Sequence, residues 1–248
     1  MTRLAIIGGS GMAALPGLDS VREHRWQTPY GEPSAPVIEG LLDGRAVYFL
    51  ARHGAGRHLP PHAINYRANI AALMELGATH VVTVNVVGGI AAELAPGQWV
   101  LPDQLIDYTW GRAHSYCDGR NAIRHVDMTW PFHRELAGLL AQQAQSLGMA
   151  VAVGGTYGCT QGPRLETAAE IVRLERDGCD IVGMTAMPEA GLAREQGLPY
   201  VPLCLVVNWA AGKTADAITL EIIEGIIDRH MPQVVPLLSA LAAGLPSA

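Results

Sequence analysis

The sequence predicts a single-domain α/β fold in which a mixed β-sheet is flanked by helices on both faces. Strand-like and helix-like segments alternate along all 248 residues, and short β-branched apolar runs of the kind found in buried strands recur between them. No repeat, low-complexity segment or linker interrupts this alternation. We therefore expect residues 1–248 to form one domain.

The first half of the chain predicts three strands and one helix. Residues 3–8 and 46–51 are apolar runs of strand length, and residues 80–87 are a β-branched run that ends in glycines. Residues 65–76 carry apolar side chains at helical spacing and stop at Gly77, a typical helix end.

The second half predicts three helices and three strands. Residues 134–147 place four leucines on one helical face, and residues 188–196 and 219–243 also have helical spacing. The strands are expected at residues 150–156, 180–183 and 200–207. Residues 108–133 show no period, and an irregular segment of that length usually carries function or makes contacts.

Composition excludes several classes of protein. The net charge is −6 and no basic run is present, which disfavours binding to nucleic acid or an anionic membrane. No apolar stretch could span a bilayer and no leader pattern opens the chain, so we expect a cytoplasmic protein. Only 16% of residues are charged, which favours a surface covered by further copies of the chain. The four cysteines have no C-x-x-C spacing, so free thiols rather than a metal or redox site are expected.

The stretch LAIIGGSGM at residues 4–12 contains a loose match to the G-x-G-x-x-A dinucleotide fingerprint. A true fingerprint opens a long helix, but Pro16 and Gly17 leave no room for one. Glu23 lies in a polar stretch that does not predict the strand end where the ribose-binding acid belongs. Two interpretations remain: a turn whose amides and Ser10 hydroxyl face an anion, or glycines with a structural role only.

Polar or basic donors lie at the ends of four predicted strands. Besides Ser10, they are the pair Arg52–His53, then Asn85 and Thr185. Arginine offers planar, charge-assisted donors to phosphate oxygens, and ligands bind at strand carboxyl ends in open α/β sheets. A salt-bridged arginine and a packing histidine would explain one pair, but the four positions together favour one bound phosphate.

The chain resembles the trimeric purine nucleoside phosphorylases, and within them the methylthioadenosine phosphorylase branch. The resemblance is carried by GGSG at 8–11, RHG and NYRANI within 52–70, GTYGCTQGPRLET at 155–167 and GMTAMPEAGLARE at 183–195. It implies a homotrimer that converts a nucleoside and inorganic phosphate into a free purine and a pentose 1-phosphate, with no metal or organic cofactor. The phosphate ligands that it implies are Ser10, Arg52, His53, Asn85 with the Val86 backbone, and Thr185, and Met184 would lie under the ribose.

The base site departs from that branch. Where the branch has two aspartates separated by one residue, this sequence has Asn208, Trp209 and Ala210. The Asn208 amide can donate to purine N7 and to a 6-oxo oxygen, and Glu166 can accept N1–H, which adenine lacks. A helix N-terminal role beside Thr167 is the alternative for Glu166. The pair predicts a 6-oxopurine, and a role for Trp209 in stacking or packing stays open.

The predicted sugar site is apolar at its 5′ end. Ile218, Leu220 and Ile222 stand where enzymes for ordinary nucleosides place a histidine, which suits a 5′-methylthio group, although they could simply pack their helix onto the sheet. His125 resembles the histidine that family members lend from the neighbouring subunit. The substrate that satisfies both ends is 5′-methylthioinosine. The alternatives are an inosine/guanosine phosphorylase, a methylthioadenosine phosphorylase, a nucleoside-binding protein and, disfavoured by the short glycine turn, a nucleotide-dependent oxidoreductase.

Overall fold

The structure is a computed structural model that describes residues 2–56, 58–119 and 123–246. Within these ranges, eleven strands form one mixed sheet with six α-helices around it, which confirms the predicted fold class. The strands are β1 (Leu4–Gly8), β2 (Leu18–His24), β3 (Val37–Leu42), β4 (Arg45–Ala51), β5 (His80–Gly89), β6 (Trp99–Leu101), β7 (Gln104–Asp107), β8 (Val151–Val153), β9 (Thr156–Cys159), β10 (Ile181–Gly183) and β11 (Tyr200–Trp209). The helices are α1 (Tyr66–Glu75), α2 (Arg134–Ser146), α3 (Ala168–Arg176), α4 (Ala186–Glu195), α5 (Leu220–His230) and α6 (Val234–Gly244), with short 3-10 turns at Pro61–Ala63 and Met231–Gln233.

Strand β5 is the centre of the sheet. β1 and β11 pair with it in parallel, and β4 lies parallel to β1 on its other side. The carboxyl ends of these four strands therefore lie at one edge of the sheet, where open α/β sheets bind ligands. β10 is antiparallel to β5, with Ile181 opposite Gly89. The residues that follow β10 consequently return along β5 towards the ends of the parallel strands.

Helices cover both faces because successive side chains of a buried strand point in opposite directions. In β1, Leu4 and Ile6 pack into one apolar cluster with α2 and α6. Ala5 and Ile7 pack into another with α1 and α4. Such runs have no polar face, so their sequence is apolar throughout rather than alternating.

Two elements that the sequence predicts as continuous are each divided in two in the structure. The single helix predicted over 219–243 is wrong, because α5 ends at His230 and α6 starts at Val234. Pro232 lies between them and has no N–H for a helical hydrogen bond. The strand predicted over 150–156 is two strands, β8 and β9, because Gly154 and Gly155 adopt φ values of 101° and 102°.

The interpretation of the polar stretch around Glu23 is also wrong. That stretch belongs to β2, and Glu23 is the next-to-last residue of the strand. Most of its side chains are exposed, so no apolar pattern reveals the strand. Residues 10–17 form turns and bends and not the long helix that a dinucleotide fingerprint opens, as predicted.

Candidate active site

A cavity of about 320 Å³ opens where the parallel strands end. Its walls come from the glycine turn after β1, the ends of β4, β5 and β11, the segment after β10, the loop before α3, and α5. Most of the predicted site residues line it: Ser10, Arg52, His53, Val86, Glu166, Met184, Thr185, Asn208, Ala210, Ile218 and Leu220. The sheet thus brings residues 210 positions apart into one site.

Arg52 is the anchor of one end of the cavity, and its guanidinium is only partly available. Nε and Nη2 donate to the two oxygens of Glu189, each at 3.0 Å, and Nη2 also donates to Asn85 Oδ1 at 2.9 Å. Arg52 and Glu189 are 1% and 0% exposed. Burial alone would lower the pKa of the Arg52 guanidinium, but the Glu189 carboxylate outweighs it and raises that pKa. Arg52 therefore stays charged, with a counter-charge behind it.

This pairing leaves one nitrogen for a ligand. Nη1 is the guanidinium nitrogen for which the described part of the chain supplies no acceptor, and it lies beside the glycine turn. A Cβ on Gly9 would lie 3.0 Å from Nη1 and 2.6 Å from the Val84 carbonyl oxygen. Glycine is needed at this position because the turn and the guanidinium approach each other so closely.

Hydroxyl and imidazole groups surround the same corner. Thr185 lies at the N-terminus of α4 but its hydroxyl makes no capping bond. His53 Nδ1 donates to the Leu59 carbonyl oxygen at 2.8 Å, so a hydrogen bond from His53 to an anion would come from Nε2. With Ser10, these groups place two hydroxyls and an imidazole on the cavity wall beside the Arg52 guanidinium.

Asn85 is buried behind Arg52 and does not line the cavity, although Val86 does. Its Oδ1 holds the guanidinium, so the structure places Asn85 as a support for Arg52. Glu189 and Tyr200 belong to the same buried hydrogen-bond network behind Arg52, because the Tyr200 hydroxyl donates to Glu189 Oε2 at 2.9 Å. Glu189 is absent from the predicted site residues, and its position in the GMTAMPEA block was the available signal.

Asn208 projects into the other end of the cavity from β11. The pairing of β11 with β5 shifts register between Val206 and Asn208, and such a bulge can re-aim a side chain. Gly88 lies opposite, and a Cβ there would approach Asn208 Nδ2 to 3.4 Å. Nδ2 donates to the Trp209 carbonyl at 2.7 Å, which orients the amide and leaves its second N–H. Trp209 itself does not line the cavity.

Glu166 faces this end from the loop before α3. Thr160 Oγ1 donates to Glu166 Oε1 at 2.6 Å, a partner that the sequence analysis did not identify. The alternative role in helix capping falls to another residue, because Thr167 and Glu170 form a reciprocal capping box. The Glu166 carboxylate is therefore available to a ligand.

One face of α5 forms the wall between the Arg52 end and the Asn208 end of the cavity. Ile223, Glu224 and Ile227 line the cavity with Leu220, as expected for residues three and four apart on a helix. Ile222 does not line it and is 46% exposed on another face. Glu224 adds a carboxylate to a wall that we predicted to be apolar.

His125 is exposed and does not line the cavity of its own chain. A role in a neighbouring subunit's site stays a prediction. Cys159, Cys179 and Cys204 are buried free thiols.

Among the described residues, no group of three or more His, Cys, Asp or Glu side chains could hold a metal ion. In the same ranges no helix has the length and apolarity needed to cross a bilayer.

Comparison with known proteins matches almost the whole chain. The sequence model of the phosphorylase superfamily matches residues 3–242. A probable S-methyl-5′-thioinosine phosphorylase of Xanthomonas campestris is 50% identical, over 97% of this chain and 97% of that protein. A 6-oxopurine nucleoside phosphorylase of Pyrococcus furiosus is 41% identical, over 99% and 94%. The structure of methylthioadenosine phosphorylase from Schistosoma mansoni with adenine superimposes with a TM-score of 0.94 and 31% identity, over 98% and 91% of the two chains.

Proposed function

The chain belongs to the phosphorylase superfamily, and we propose that it cleaves S-methyl-5′-thioinosine with inorganic phosphate. The products are hypoxanthine and S-methyl-5-thio-α-D-ribose 1-phosphate, so the enzyme is a pentosyltransferase of purine salvage. One observation carries the proposal: a single cavity combines the Arg52 anion corner, the Glu166–Asn208 pair and the largely apolar face of α5. Phosphate is a co-substrate, and the proposed reaction uses no metal or organic cofactor.

The anion corner would hold the nucleophile. Arg52 Nη1 and the hydroxyls of Ser10 and Thr185 would bind phosphate below C1′, with Met184 under the ribose. A phosphate oxygen forms the new bond to C1′ as the C1′–N9 bond breaks, and its negative charge stabilises the positive charge that develops on the sugar. The rigid pairing of Arg52 with Glu189 keeps this donor in place during the reaction.

The base end would accept the departing electron pair. The purine becomes negative as C1′–N9 breaks, and the free N–H of Asn208 would donate a hydrogen bond to N7, where this charge collects. The net proton that converts the purine anion into hypoxanthine comes from the attacking hydrogen phosphate, which ends as the sugar phosphate dianion. That bond strengthens in the transition state, so it contributes to turnover more than to binding. Glu166 would accept N1–H of hypoxanthine, whereas the bare N1 of adenine would face a carboxylate. Unpaired buried groups of this kind cost about 1–3 kcal/mol each, which is enough for strong discrimination.

A second candidate function has one observation in its favour. The Glu224 carboxylate at the α5 wall could accept a hydrogen bond from a 5′-hydroxyl, which would suit inosine or guanosine. The methylthio substrate remains our proposal because Leu220, Ile223 and Ile227 form the rest of that wall.

We further propose a cytoplasmic homotrimer in which His125 reaches the neighbouring subunit's sugar site. Trp110, Ile123 and Trp130 of the 108–133 segment expose large apolar surfaces, and burial against a second copy would explain them. Free thiols are typical of a reducing compartment. Co-expression of His125→Ala and Asn208→Ala chains tests the arrangement, since mixed trimers would contain sites with both residues. A monomer in sedimentation, or no gain of activity on mixing, would contradict it.

The reaction itself is tested by incubation of the protein with S-methyl-5′-thioinosine, with and without phosphate. We expect hypoxanthine and the sugar 1-phosphate in equal amounts, and only when phosphate is present. Base release without phosphate would indicate a hydrolase, and binding without release would indicate a nucleoside-binding protein.

A further inference from the structure

Arg112 is a buried arginine in the irregular segment that follows β7, and the phosphorolysis mechanism does not use it. It is 8% exposed. Among the described residues, its hydrogen-bond partners are carbonyl, amide and hydroxyl oxygens, and none of them is a carboxylate. A buried cation without a counter-charge is expensive, so its hydrogen bonds must be well made.

The guanidinium joins two separate segments. Nη1 donates to the carbonyl oxygens of Met184 at 2.8 Å and Met187 at 2.6 Å. Nη2 donates to the Gln161 carbonyl at 2.8 Å, and Nε donates to Gln161 Oε1 at 3.2 Å. The group also stacks on the Tyr66 ring, 5.6 Å from its centroid. Arg112 thus uses its planar fork to hold four oxygens in fixed relative positions.

The two segments are the two sides of the proposed site. Residues 160–166 contain Thr160 and the base-recognising Glu166, and residues 184–187 contain Met184 and Thr185. They also touch directly: Gly162, at φ 59°, packs so closely on the Met184 sulfur that a Cβ would overlap it. Beside the sheet, Thr160 N–H and Oγ1 both donate to the Gly183 carbonyl, and Met187 N–H donates to Cys159 Sγ at 3.3 Å. Arg112 adds four hydrogen bonds to these contacts, so it contributes to the distance between the base side and the sugar–phosphate side.

We propose that Arg112 is a positioning residue that sets Glu166 relative to Met184 and Thr185, and thereby contributes to the choice between 6-oxo and 6-aminopurines. The inference rests on the proposed function, because it concerns that same site. Lysine cannot replace it: one compact ammonium has three donors and cannot reach all four oxygens with the same geometry.

The test uses full-length Arg112→Met and Arg112→Lys, with Arg3→Met as the matched control. Arg3 donates to Glu39 and Tyr48 beside the amino end of β1, far from the cavity. For each protein we would measure kcat/KM with S-methyl-5′-thioinosine and with methylthioadenosine, the KM for phosphate, and the Tm.

Both Arg112 variants should lose about 100-fold in kcat/KM for the 6-oxo substrate, the effect of a displacement near 1 Å. The ratio of kcat/KM for S-methyl-5′-thioinosine to kcat/KM for methylthioadenosine should fall towards one, and the KM for phosphate should rise. Arg3→Met should lower the Tm and leave the ratio unchanged. Folded Arg112 variants with the wild-type ratio would overturn the inference, whatever their Tm.

A milder variant keeps the test decisive if the Arg112 variants do not fold. Gln161→Ala removes one acceptor and leaves the arginine buried, so it should narrow the ratio by a smaller factor. An unchanged ratio in that variant would also overturn the inference. Failure of the proposed function is distinguishable, because it would appear as a different substrate preference in the wild-type protein.

Discussion

Replacement of Glu166 by alanine tests the base-recognition argument at a single side chain. The carboxylate is half-buried, accepts a hydrogen bond from Thr160 Oγ1 at 2.6 Å, and faces the cavity beside Asn208. With a 6-oxopurine, Glu166→Ala removes one charge-assisted hydrogen bond to N1–H. With a 6-aminopurine, it removes a carboxylate that faces the bare N1.

The expected magnitude follows from the partial burial. Hydrogen bonds to charged groups contribute about 1.5–3 kcal/mol, and a half-buried carboxylate belongs at the lower end. A loss of about 1.5 kcal/mol corresponds to about 10-fold in kcat/KM for S-methyl-5′-thioinosine. Methylthioadenosine should react no more slowly than before, and relief of the unpaired carboxylate would add up to about 10-fold.

The assay is steady-state phosphorolysis of both nucleosides at saturating phosphate, with Glu170→Ala as the control. Glu170 lies four residues further on, caps α3 and does not line the cavity. Its replacement should lower the Tm and leave the nucleoside ratio unchanged. The reasoning is refuted if Glu166→Ala slows both nucleosides equally, because a lost packing or folding role would do the same.

Four further predictions concern other groups. Asn208→Ala should lower kcat by about 100-fold, as loss of one transition-state donor does, and an effect on KM alone would contradict the N7 role. Glu189→Gln should lower the free energy of unfolding by about 3–5 kcal/mol because it leaves the Arg52 charge unpaired. Because phosphate would supply the missing counter-charge, added phosphate should raise the Tm of this variant more than the Tm of the wild type. An equal rise in both proteins would count against a phosphate site at Arg52. Glu224→Leu should favour S-methyl-5′-thioinosine over inosine by about 10-fold if the carboxylate binds a 5′-hydroxyl, and unchanged ratios would exclude that contact. The Arg164 hydrogen bond and the Thr167 amide lower the pKa of Glu170 from 4.5 to about 2 in the folded protein. A carboxylate with a lowered folded-state pKa stabilises the folded protein at pH values above its unfolded-state pKa. The wild type should therefore have its full Tm advantage over Glu170→Gln at pH 7 and lose it as the pH falls from about 5 to 2, which thermal melts would show.

The sequence predicts those elements whose burial leaves a pattern. β1, β5 and β11 are mostly apolar because both of their faces are covered, and most residues of α1 are buried. β2 escapes prediction because it is exposed and polar, and β6 escapes it because three residues are too few to show a period. The break at Pro232 was visible in the sequence, since proline cannot continue a helix.

Some residues of the candidate site could also be predicted from the sequence, and others could not. Side chains at strand ends could be predicted because parallel strands end at a common edge, and Ser10 and Arg52, which follow β1 and β4, both lie on the cavity. Thr185 follows the antiparallel β10, so its place on the cavity could not be predicted from that rule. The partner of Arg52 could not be predicted, because Glu189 is 137 positions away and only the folded sheet brings the two together. On α5, the choice of Ile222 rather than Ile223 was an error of helical phase, which the positions of Leu220 and Ile227 could have corrected.

The most direct test of the central claim is the comparison of kcat/KM for four nucleosides with saturating phosphate: S-methyl-5′-thioinosine, methylthioadenosine, inosine and adenosine. We predict that S-methyl-5′-thioinosine is far ahead of the other three, because it alone matches both the Glu166–Asn208 pair and the apolar wall of α5. Equal values for inosine would contradict the account of the 5′ end. Methylthioadenosine in first place would contradict the account of the base site.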